Sequence, residues 1–238
     1  MPDDANAMHE DASDDAPPRG CPQVKICGLT VVEEAVACAE AGADAIGCVF
    51  YPQSPRHLAD DAARAICRAL PARVCPVGVF VDETFSGVMR RVEHCGLRAV
   101  QVHGRETPQL VEKLRSEGLI VIKGLSMKRE PFIRDAGVYG ATAYLVECGA
   151  GRLPGGNAEV WNWGEAVAAF PLDAPLALAG GLSPENVREA ITSASPDAVD
   201  VSSGVEASPG RKDIDKARRF IEAVRCCSLP NAPKKVFA

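Results

Sequence analysis

A cysteine lies where a short apolar run meets a turn, in the stretch QVKICGLT from Gln23 to Thr30. A thiol has an ordinary pKa of about 8.5, so its surroundings can tune how readily it accepts a proton. Lys25 precedes Cys27 by two residues, which places both side chains on the same face of a strand. Its positive charge favours the thiolate, so the stretch indicates a reactive thiol at a strand end, with an inert core thiol as the alternative.

Other polar side chains follow the later apolar runs, at the positions where loops begin. They are Arg56, Asp82, His103, Lys123, Glu147 and Asp200, the last followed by Ser202 and Ser203. Each has a structural alternative: Asp82 can cap a helix, His103 can bond backbone at a turn, and Lys123 can be a solvated charge. Their repeated occurrence at one kind of position favours a single site over separate coincidences.

Two late segments place glycines between a strand-like run and a helix-like run. LALAGGLSPENV contains Gly180 and Gly181, and DVSSGVEASPGRKD contains Ser203 and Gly204. Glycine lets backbone N–H groups approach a ligand closely, and a helix N-terminus carries partial positive charge. These segments therefore predict a phosphate site, with simple tight turns as the alternative.

Eight apolar runs alternate with amphipathic helical stretches through the middle of the chain. The runs are VKIC, AIGCVF, CPVGVFV, RAVQV, LIVIKG, TAYLVE, PLALAG and DAVDVSS. Strands that alternate with helices form a parallel sheet, and eight such units in about two hundred residues predict a single (β/α)8 (TIM) barrel. The alternative is a doubly wound open sheet, but the GxGxxG motif of its dinucleotide-binding form does not follow the first run.

A barrel brings the polar positions together, because its active site is built from the carboxyl ends of the strands. The loops after strands 7 and 8 commonly bind phosphate in this fold, and they correspond to the two glycine segments. Thr30 and Gly42 predict the start and the end of the first helix, and Ser183-Pro184 predicts the start of a later one.

The two ends of the chain differ in composition from the middle. Residues 1–21 are acidic, contain proline and have few large apolar side chains, which predicts a disordered tail. Residues 226–238 also predict a flexible tail. The expected folded unit is therefore the barrel over residues 22–225.

Charge and cysteine usage exclude several classes of protein. The 238 residues carry a net charge of −6, which provides no broad basic surface for nucleic acid or an anionic membrane. No apolar run approaches the ~20 residues of a membrane span or precedes the chain as a signal peptide. The ten cysteines lack the CxxC or CxxH spacing of zinc sites. We therefore expect a cytoplasmic protein without a metal, in which most thiols are small buried hydrophobes.

The segment VKICGLT resembles the KICG signature of the N-(5'-phosphoribosyl)anthranilate isomerases, the barrel enzymes of tryptophan biosynthesis. The similarity continues, in the same order, through ADAIGCVFYPQSPRHL, PVGVFVDE, VQVHG, LAGGLSPENV and AVDVSSGVEASPGRKD. It covers residues 23–224, and the two tails lie outside it. The resemblance implies an Amadori rearrangement of a phosphorylated aminoaldose to an aminoketose, which needs no cofactor and no metal.

The resemblance also implies roles for individual residues. Cys27 would be the base that removes the proton from ribose C2', and Glu147 the acid that protonates the ring oxygen. Arg56 would pair with the anthranilate carboxylate, since a guanidinium suits that planar partner. His103 and Asp200 would line the sugar and aryl region. The phosphate would bind the backbone of Gly180, Gly181, Ser203 and Gly204.

The sixth strand departs from the family pattern of Leu-Leu-Asp followed by Gly-Gly-Thr-Gly. Glu147 stands where the aspartate is expected, and Asn157-Ala158 replace the Thr-Gly. The extra methylene moves the carboxyl by about 1 Å, and such a displacement can cost about a hundredfold in rate. Two alternatives remain: an isomerase of another aminoaldose phosphate, and a non-catalytic or specialised-pathway paralogue that binds a phosphorylated ligand. The sequence leaves both a monomer and a homodimer open.

Overall fold

The computed structural model describes residues 20–149 and 161–237, and eight parallel strands close into a barrel within them. The strands are β1 (Gln23–Cys27), β2 (Ala45–Val49), β3 (Cys75–Phe80), β4 (Ala99–Val102), β5 (Ile120–Ser126), β6 (Ala143–Glu147), β7 (Leu176–Ala179) and β8 (Ala198–Val201). Each strand pairs with the next along the chain, and β8 pairs with β1. The predicted barrel is confirmed. The doubly wound sheet is wrong, because an open sheet has no pairing between its outermost strands.

Helices follow most of the strands and pack around the barrel. They are α1 (Val32–Glu40), α2 (Asp60–Ala69), α3 (Phe85–Cys95), α4 (Pro108–Ser116), α5 (Trp163–Ala168), α6 (Val187–Ala194) and α7 (Ile214–Arg225). A 3-10 helix, Ile133–Val138, follows β5 instead, and a 3-10 turn, Ser203–Val205, follows β8. A small antiparallel pair, β9 (Glu206–Ser208) and β10 (Arg211–Lys212), leads into α7. No helix in the described ranges is long and apolar enough to cross a membrane.

Side-chain caps fix several helix ends. The hydroxyls of Thr84 and Thr107 accept hydrogen bonds from the N–H groups of Gly87 and Leu110, which satisfies donors in the first turns of α3 and α4. Helix α3 ends at Gly96, whose φ of 75° is left-handed and unstrained only for glycine. These ends return the chain directly to the next strand.

Alternate residues of each strand face the interior of the barrel. On the outer side of the strands, Ile26, Ile46 and Val100 belong to the apolar layer under the helices. The inward residues change character along the barrel axis. Near the amino ends they are apolar and mostly alanine, whereas near the carboxyl ends they include buried polar side chains. Four of these are Lys25, Gln101, Glu147 and Asp200.

The end of the chain closes the amino end of the barrel. Val236 and Phe237 are 1% and 4% exposed and pack against the alanine-rich inner layer. The Gln23 side chain holds them, because its Oε1 accepts hydrogen bonds from their N–H groups at 2.7 and 3.0 Å. Its Nε2 also donates to the Phe237 carbonyl at 2.7 Å. Composition predicts a flexible tail over 226–238, whereas two of its apolar residues fill space that the small inner side chains leave. Most of the predicted N-terminal tail, residues 1–19, lies outside the described residues.

Candidate active site

The nine residues predicted for the site line one cleft at the carboxyl ends of the strands. The cleft has a volume of about 820 Å³, including its solvent-open mouth. The nine are Cys27, Arg56, His103, Glu147, Gly180, Gly181, Asp200, Ser203 and Gly204. The cleft combines apolar side chains with a few converging polar groups, as clefts that bind small ligands commonly do. The structure therefore brings the candidate residues together, while their individual roles stay predictions.

Cys27 ends β1, and its sulfur faces the interior beside Lys25. A Cβ atom at Gly47 on the neighbouring strand would lie 2.8 Å from the Cys27 sulfur and 3.2 Å from Lys25 Cε. The glycine therefore provides the space in which the thiol and the lysine side chain meet. Lys25 Nζ donates to Asp200 Oδ1 at 2.9 Å, and this ion pair is buried. The result is a compact group of thiol, ammonium and carboxylate.

Burial and charge act in opposite directions on this group. Burial raises the pKa of Cys27, and the neighbouring Lys25 charge offsets only part of that effect. Burial also disfavours the Lys25 ammonium, but Asp200 and Cys27 outweigh it and raise the pKa of Lys25. Both directions favour the ammonium form of Lys25 and the neutral thiol form of Cys27. A thiolate that forms here has a cation beside it.

Glu147 ends β6 and is buried at the wall of the cleft. Its Oε1 lies 3.3 Å from His103 Nε2 and 3.1 Å from Arg129 Nη2. The strand order β6, β7, β8, β1 separates Glu147 from Cys27 by two intervening strands. The carboxyl and the thiol therefore approach a ligand from different sides. The second departure from the family pattern, Asn157-Ala158, lies outside the described residues.

Arg56 enters the cleft from the loop after β2 and has a protein partner. Its Nε and Nη2 donate to the two carboxylate oxygens of Glu206 at 2.7 and 2.8 Å. Burial opposes the Arg56 charge, but Glu206 outweighs it and raises the pKa of Arg56. A Cβ at Gly28 would lie 2.4 Å from Arg56 Cδ, so only glycine leaves room for the arginine at this point. Two of the five guanidinium donors are thus used, and the others can bind an anion.

The two glycine segments form adjoining loops after β7 and β8. Gly180 and Gly181 have φ angles of 90° and 68°, in the left-handed region that glycine tolerates best. A Cβ at Gly204 would lie 1.9 Å from the Leu182 carbonyl oxygen, so the two loops approach each other too closely for a side chain there. Asn186 braces the first loop by donating to the Gly181 carbonyl at 2.8 Å. Backbone held this close to the cleft suits an anionic ligand.

Two polar residues flagged by the sequence have structural partners instead. Lys123 points away from the barrel interior, is fully buried, and donates to Glu106 Oε2 at 2.7 Å. Asp82 accepts from the Arg105 N–H at 2.6 Å, while the neighbouring Thr84 caps α3. Neither lines the main cleft.

Three residues that bind the predicted site residues were missed. Gln101 could have been found, because it precedes His103 by two residues and therefore shares its face of β4. Glu206 and Arg129 carry no such local signal. Glu206 begins β9 and Arg129 lies in the segment after β5, and only the folded structure shows their contacts with Arg56 and Glu147.

The chain is similar to known proteins over most of its length. The family model described as "N-(5'phosphoribosyl)anthranilate (PRA) isomerase" matches residues 24–223. An enzyme of that name from Desulfatibacillum aliphaticivorans is 50% identical over 216 residues, which cover 91% of this chain and 99% of the relative.

Solved structures give the same result. The phosphoribosyl anthranilate isomerase of Thermotoga maritima has a TM-score of 0.77 and 40% identity, and the match covers 86% of this chain and 98% of that one. A second isomerase structure, in complex with reduced 1-(o-carboxyphenylamino)-1-deoxyribulose 5-phosphate, has a TM-score of 0.74 and 39% identity with the same coverage. By sequence and by structure, this chain belongs to the N-(5'-phosphoribosyl)anthranilate isomerase family.

Proposed function

We propose that this chain converts N-(5-phospho-β-D-ribosyl)anthranilate to 1-(2-carboxyphenylamino)-1-deoxy-D-ribulose 5-phosphate in tryptophan biosynthesis. The observation that carries the proposal is a buried thiol and a buried carboxyl on different walls of one cleft, next to a guanidinium and two glycine loops. An Amadori rearrangement needs one proton donor and one proton acceptor on the sugar, together with anchors for its two anionic ends.

Glu147 is the proton donor in this proposal. It protonates the ribose ring oxygen, and the C1'–O bond breaks to give an open-chain Schiff base. The contacts of its Oε1 with His103 and Arg129 fix the direction of the carboxyl. These two contacts support a glutamate at a position where the family pattern has the shorter aspartate.

Cys27 is the proton acceptor. As a thiolate it removes the C2' proton, and the electron pair of that C–H bond forms the C1'–C2' double bond while the imine nitrogen accepts the displaced pair. The resulting enolamine becomes the ketone when C1' takes up a proton and the C2' hydroxyl loses its proton. Burial favours the neutral thiol of Cys27, and the buried Lys25 ammonium stabilises the thiolate as it forms.

The two anionic ends of the substrate have separate anchors in the cleft. The anthranilate carboxylate binds the Arg56 donors that Glu206 leaves available. The phosphate binds the backbone of Gly180, Gly181, Ser203 and Gly204 at the two glycine loops. His103 and Asp200 line the same cleft, and we assign them to the sugar and aryl region.

We also propose the bounds of the catalytic domain, its location in the cell and its oligomeric state. The catalytic domain is the barrel over residues 22–225, which contains the full span matched by the family model. It acts on a small phosphorylated substrate in the cytoplasm, where its thiols stay reduced, and as a monomer or a homodimer.

A direct assay tests the proposal. Freshly prepared phosphoribosylanthranilate is added to the purified protein, and the loss of anthranilate-type fluorescence is followed against the Cys27→Ser variant as a matched control. We expect turnover by the parent only. A parent protein that binds the reduced product analogue without turnover would instead be the non-catalytic paralogue. If the protein turned over only another aminoaldose phosphate, it would be an isomerase of that substrate instead.

A further inference from the structure

The Arg56 guanidinium is held at two points by the protein. Its Nε and Nη2 donate to the two carboxylate oxygens of Glu206, and the two side chains are 11% and 6% exposed. Its stem lies against Gly28, where a Cβ atom would be 2.4 Å from Arg56 Cδ. A planar group that is fixed at its stem and along one edge has a single orientation.

The Glu206 carboxylate that holds this edge is itself fixed. Its Oε1 also accepts hydrogen bonds from Lys212 Nζ at 2.9 Å and from the Gly210 N–H at 3.4 Å. Lys212 is anchored in turn, because its Nζ donates to the Ser202 carbonyl at 3.0 Å. The carboxylate is therefore a fixed support for the guanidinium rather than a mobile counter-ion.

The remaining donors of Arg56 lie along the adjacent edge of the guanidinium. Nη1 has no acceptor among the described residues, and Nη2 has a second N–H beside the one that Glu206 accepts. These two nitrogens present parallel N–H groups, an arrangement that pairs with both oxygens of one carboxylate. A carboxylate bound there lies in the guanidinium plane, so its position depends on how Glu206 orients that plane.

We propose that Glu206 is a positioning residue, which orients the Arg56 guanidinium so that its Nη1–Nη2 edge receives the carboxylate of the substrate. The inference rests on the proposed role of Arg56 in binding the anthranilate carboxylate. Glu206 thereby contributes to the selection of an arylamine with a carboxylate over one without it.

The negative charge of Glu206 acts in the opposite direction. It lies beside Arg56 and opposes the binding of a second anion, so its removal alone would strengthen anion binding. Lys212 limits this gain. Burial lowers the pKa of Lys212 and Glu206 offsets part of that effect, so the ammonium loses its proton more readily without Glu206. The lost orientation of the guanidinium is therefore the larger effect of Glu206→Gln.

The test measures dissociation constants by calorimetry for two ligands. One is reduced 1-(o-carboxyphenylamino)-1-deoxyribulose 5-phosphate, and the other is the same compound without the carboxylate. The parent is compared with Glu206→Gln, Glu206→Asp, Arg56→Ala and the double variant Arg56→Ala with Glu206→Gln. Glu34→Gln is the matched control, because Glu34 is a similarly buried glutamate that pairs with Arg211 on β10, the partner strand of β9. Thermal midpoints report the stability of each protein.

The parent is expected to bind the carboxylated ligand more tightly than the other. Glu206→Gln should bind the carboxylated ligand about tenfold more weakly and the other ligand as the parent does. Glu206→Asp keeps the charge but withdraws the carboxylate by about 1 Å, so it should lose selectivity as well. In the Arg56→Ala background, Glu206→Gln should have no further effect, because Glu206 acts through Arg56. Glu34→Gln should keep the parental ratio of the two dissociation constants even if its thermal midpoint falls.

A Glu206→Gln variant that binds the carboxylated ligand as tightly as the parent, or more tightly, would overturn the proposal. An equal loss for both ligands, or the same loss of selectivity in Glu34→Gln, would mean that Glu206 only supports the fold. A parent that binds both ligands equally would refute the inference together with the role of Arg56. The proposed isomerisation is judged separately, because it fails only if the parent does not turn over phosphoribosylanthranilate.

Discussion

The two ends of this barrel are lined by the same eight strands, yet the side chains inside them differ in kind. At the carboxyl end, Lys25, Asp200 and Glu147 are buried with charged or polar partners around a cleft. At the amino end, the inner layer is rich in alanine, and Val236 and Phe237 from the C-terminal segment fill it. One end keeps a space for a ligand, and the other closes its space with the chain itself.

This difference shows how a small barrel can carry a polar site. Buried charges contribute little net stability, because the loss of hydration offsets most of their attraction. Apolar burial at the closed end has no such offset. We therefore expect changes at the carboxyl end to alter activity more than stability, and changes at the amino end to do the reverse. Five predictions test this separation.

Cys27→Ser should have the largest effect. Serine is close in shape to cysteine but is far too weakly acidic to supply an anionic base. Loss of a general base typically lowers the rate by about 10²- to 10⁴-fold, so we expect about a thousandfold loss in kcat with an unchanged unfolding midpoint. The fluorescence assay and thermal unfolding measure both quantities. Near-parental turnover would mean that another group takes the proton.

Phe237→Ala should have the largest effect on stability. Truncation of a buried phenylalanine costs about 3–5 kcal/mol, from lost burial and from the cavity left behind. Denaturant unfolding should show the loss, while kcat of the folded protein stays at the parental value. Val138→Ala, at an apolar side chain that is 63% exposed, is the control and should change little. A Phe237 variant as stable as this control would mean that the C-terminal segment does not close the barrel in solution.

Glu147→Gln should lower kcat by about a hundredfold, because the amide keeps the shape but has no proton to transfer. Glu147→Asp retains a carboxyl and should stay active. Asp200→Asn, measured alongside, tests the other carboxylate that lines the cleft. A Gln variant within about threefold of the parent would move the acid away from Glu147, and a large loss in the Asn variant would then point to Asp200.

The sequence predicts the features that recur along a strand or at a turn. The apolar runs predict the eight strands. The cleft residues are predicted because the active site of this fold lies at the carboxyl ends of the strands. The predicted helix starts agree less well with the structure. Thr30 does not cap α1, since its hydroxyl donates to the Gly210 carbonyl instead. The helix predicted at Ser183-Pro184 begins at Val187, because Ser183 and Asn186 form a turn that braces the glycine loop.

Contacts between distant segments could not be predicted in this way. Arg56 and Glu206 are 150 residues apart along the chain, and the pairing depends on where the β8 loop lies in three dimensions. Phe237 lies 214 residues from its partner Gln23, in a segment whose composition is that of a tail. A local sequence pattern describes one helix, strand or turn at a time, so it does not predict contacts between residues far apart in the sequence.

Arg56→Ala should weaken substrate binding more than it slows the chemical step. A hydrogen bond to a charged group contributes about 1.5–3 kcal/mol, which corresponds to at least a tenfold rise in KM. Arg56→Lys keeps the positive charge but loses the planar guanidinium, so its KM should lie between those of the parent and the alanine variant. If the alanine variant binds the reduced product analogue as tightly as the parent, Arg56 does not bind the anthranilate carboxylate.

The smallest expected effect concerns the pH dependence of stability at the two ends. Burial raises the pKa of Glu206, but its bonds with Arg56 and Lys212 outweigh burial and hold it below its ordinary value. A carboxyl whose pKa is lower in the folded protein stabilises the fold above the unfolded pKa, near 4.3 for glutamate. That contribution is lost as the pH falls through the folded value, because the proton then binds in both states.

Glu206→Gln should therefore be less stable than the parent at neutral pH, and the difference should shrink as the pH falls below the ordinary glutamate pKa, near 4.3, and through the lower folded value. Glu189→Gln, at an exposed glutamate on α6, is the control and should follow the parent at every pH. The Phe237→Ala deficit should change little over the same range, because the ring packs in the apolar inner layer of the barrel. The parent and the three variants are unfolded with denaturant between about pH 3 and pH 7, a range that spans the ordinary pKa of glutamate. The free energy of unfolding of each variant is compared with that of the parent. A Glu206→Gln deficit that does not change with pH would mean that this carboxylate stabilises the fold through packing alone. The charged end and the apolar end of the barrel would then not differ in how their stability depends on pH.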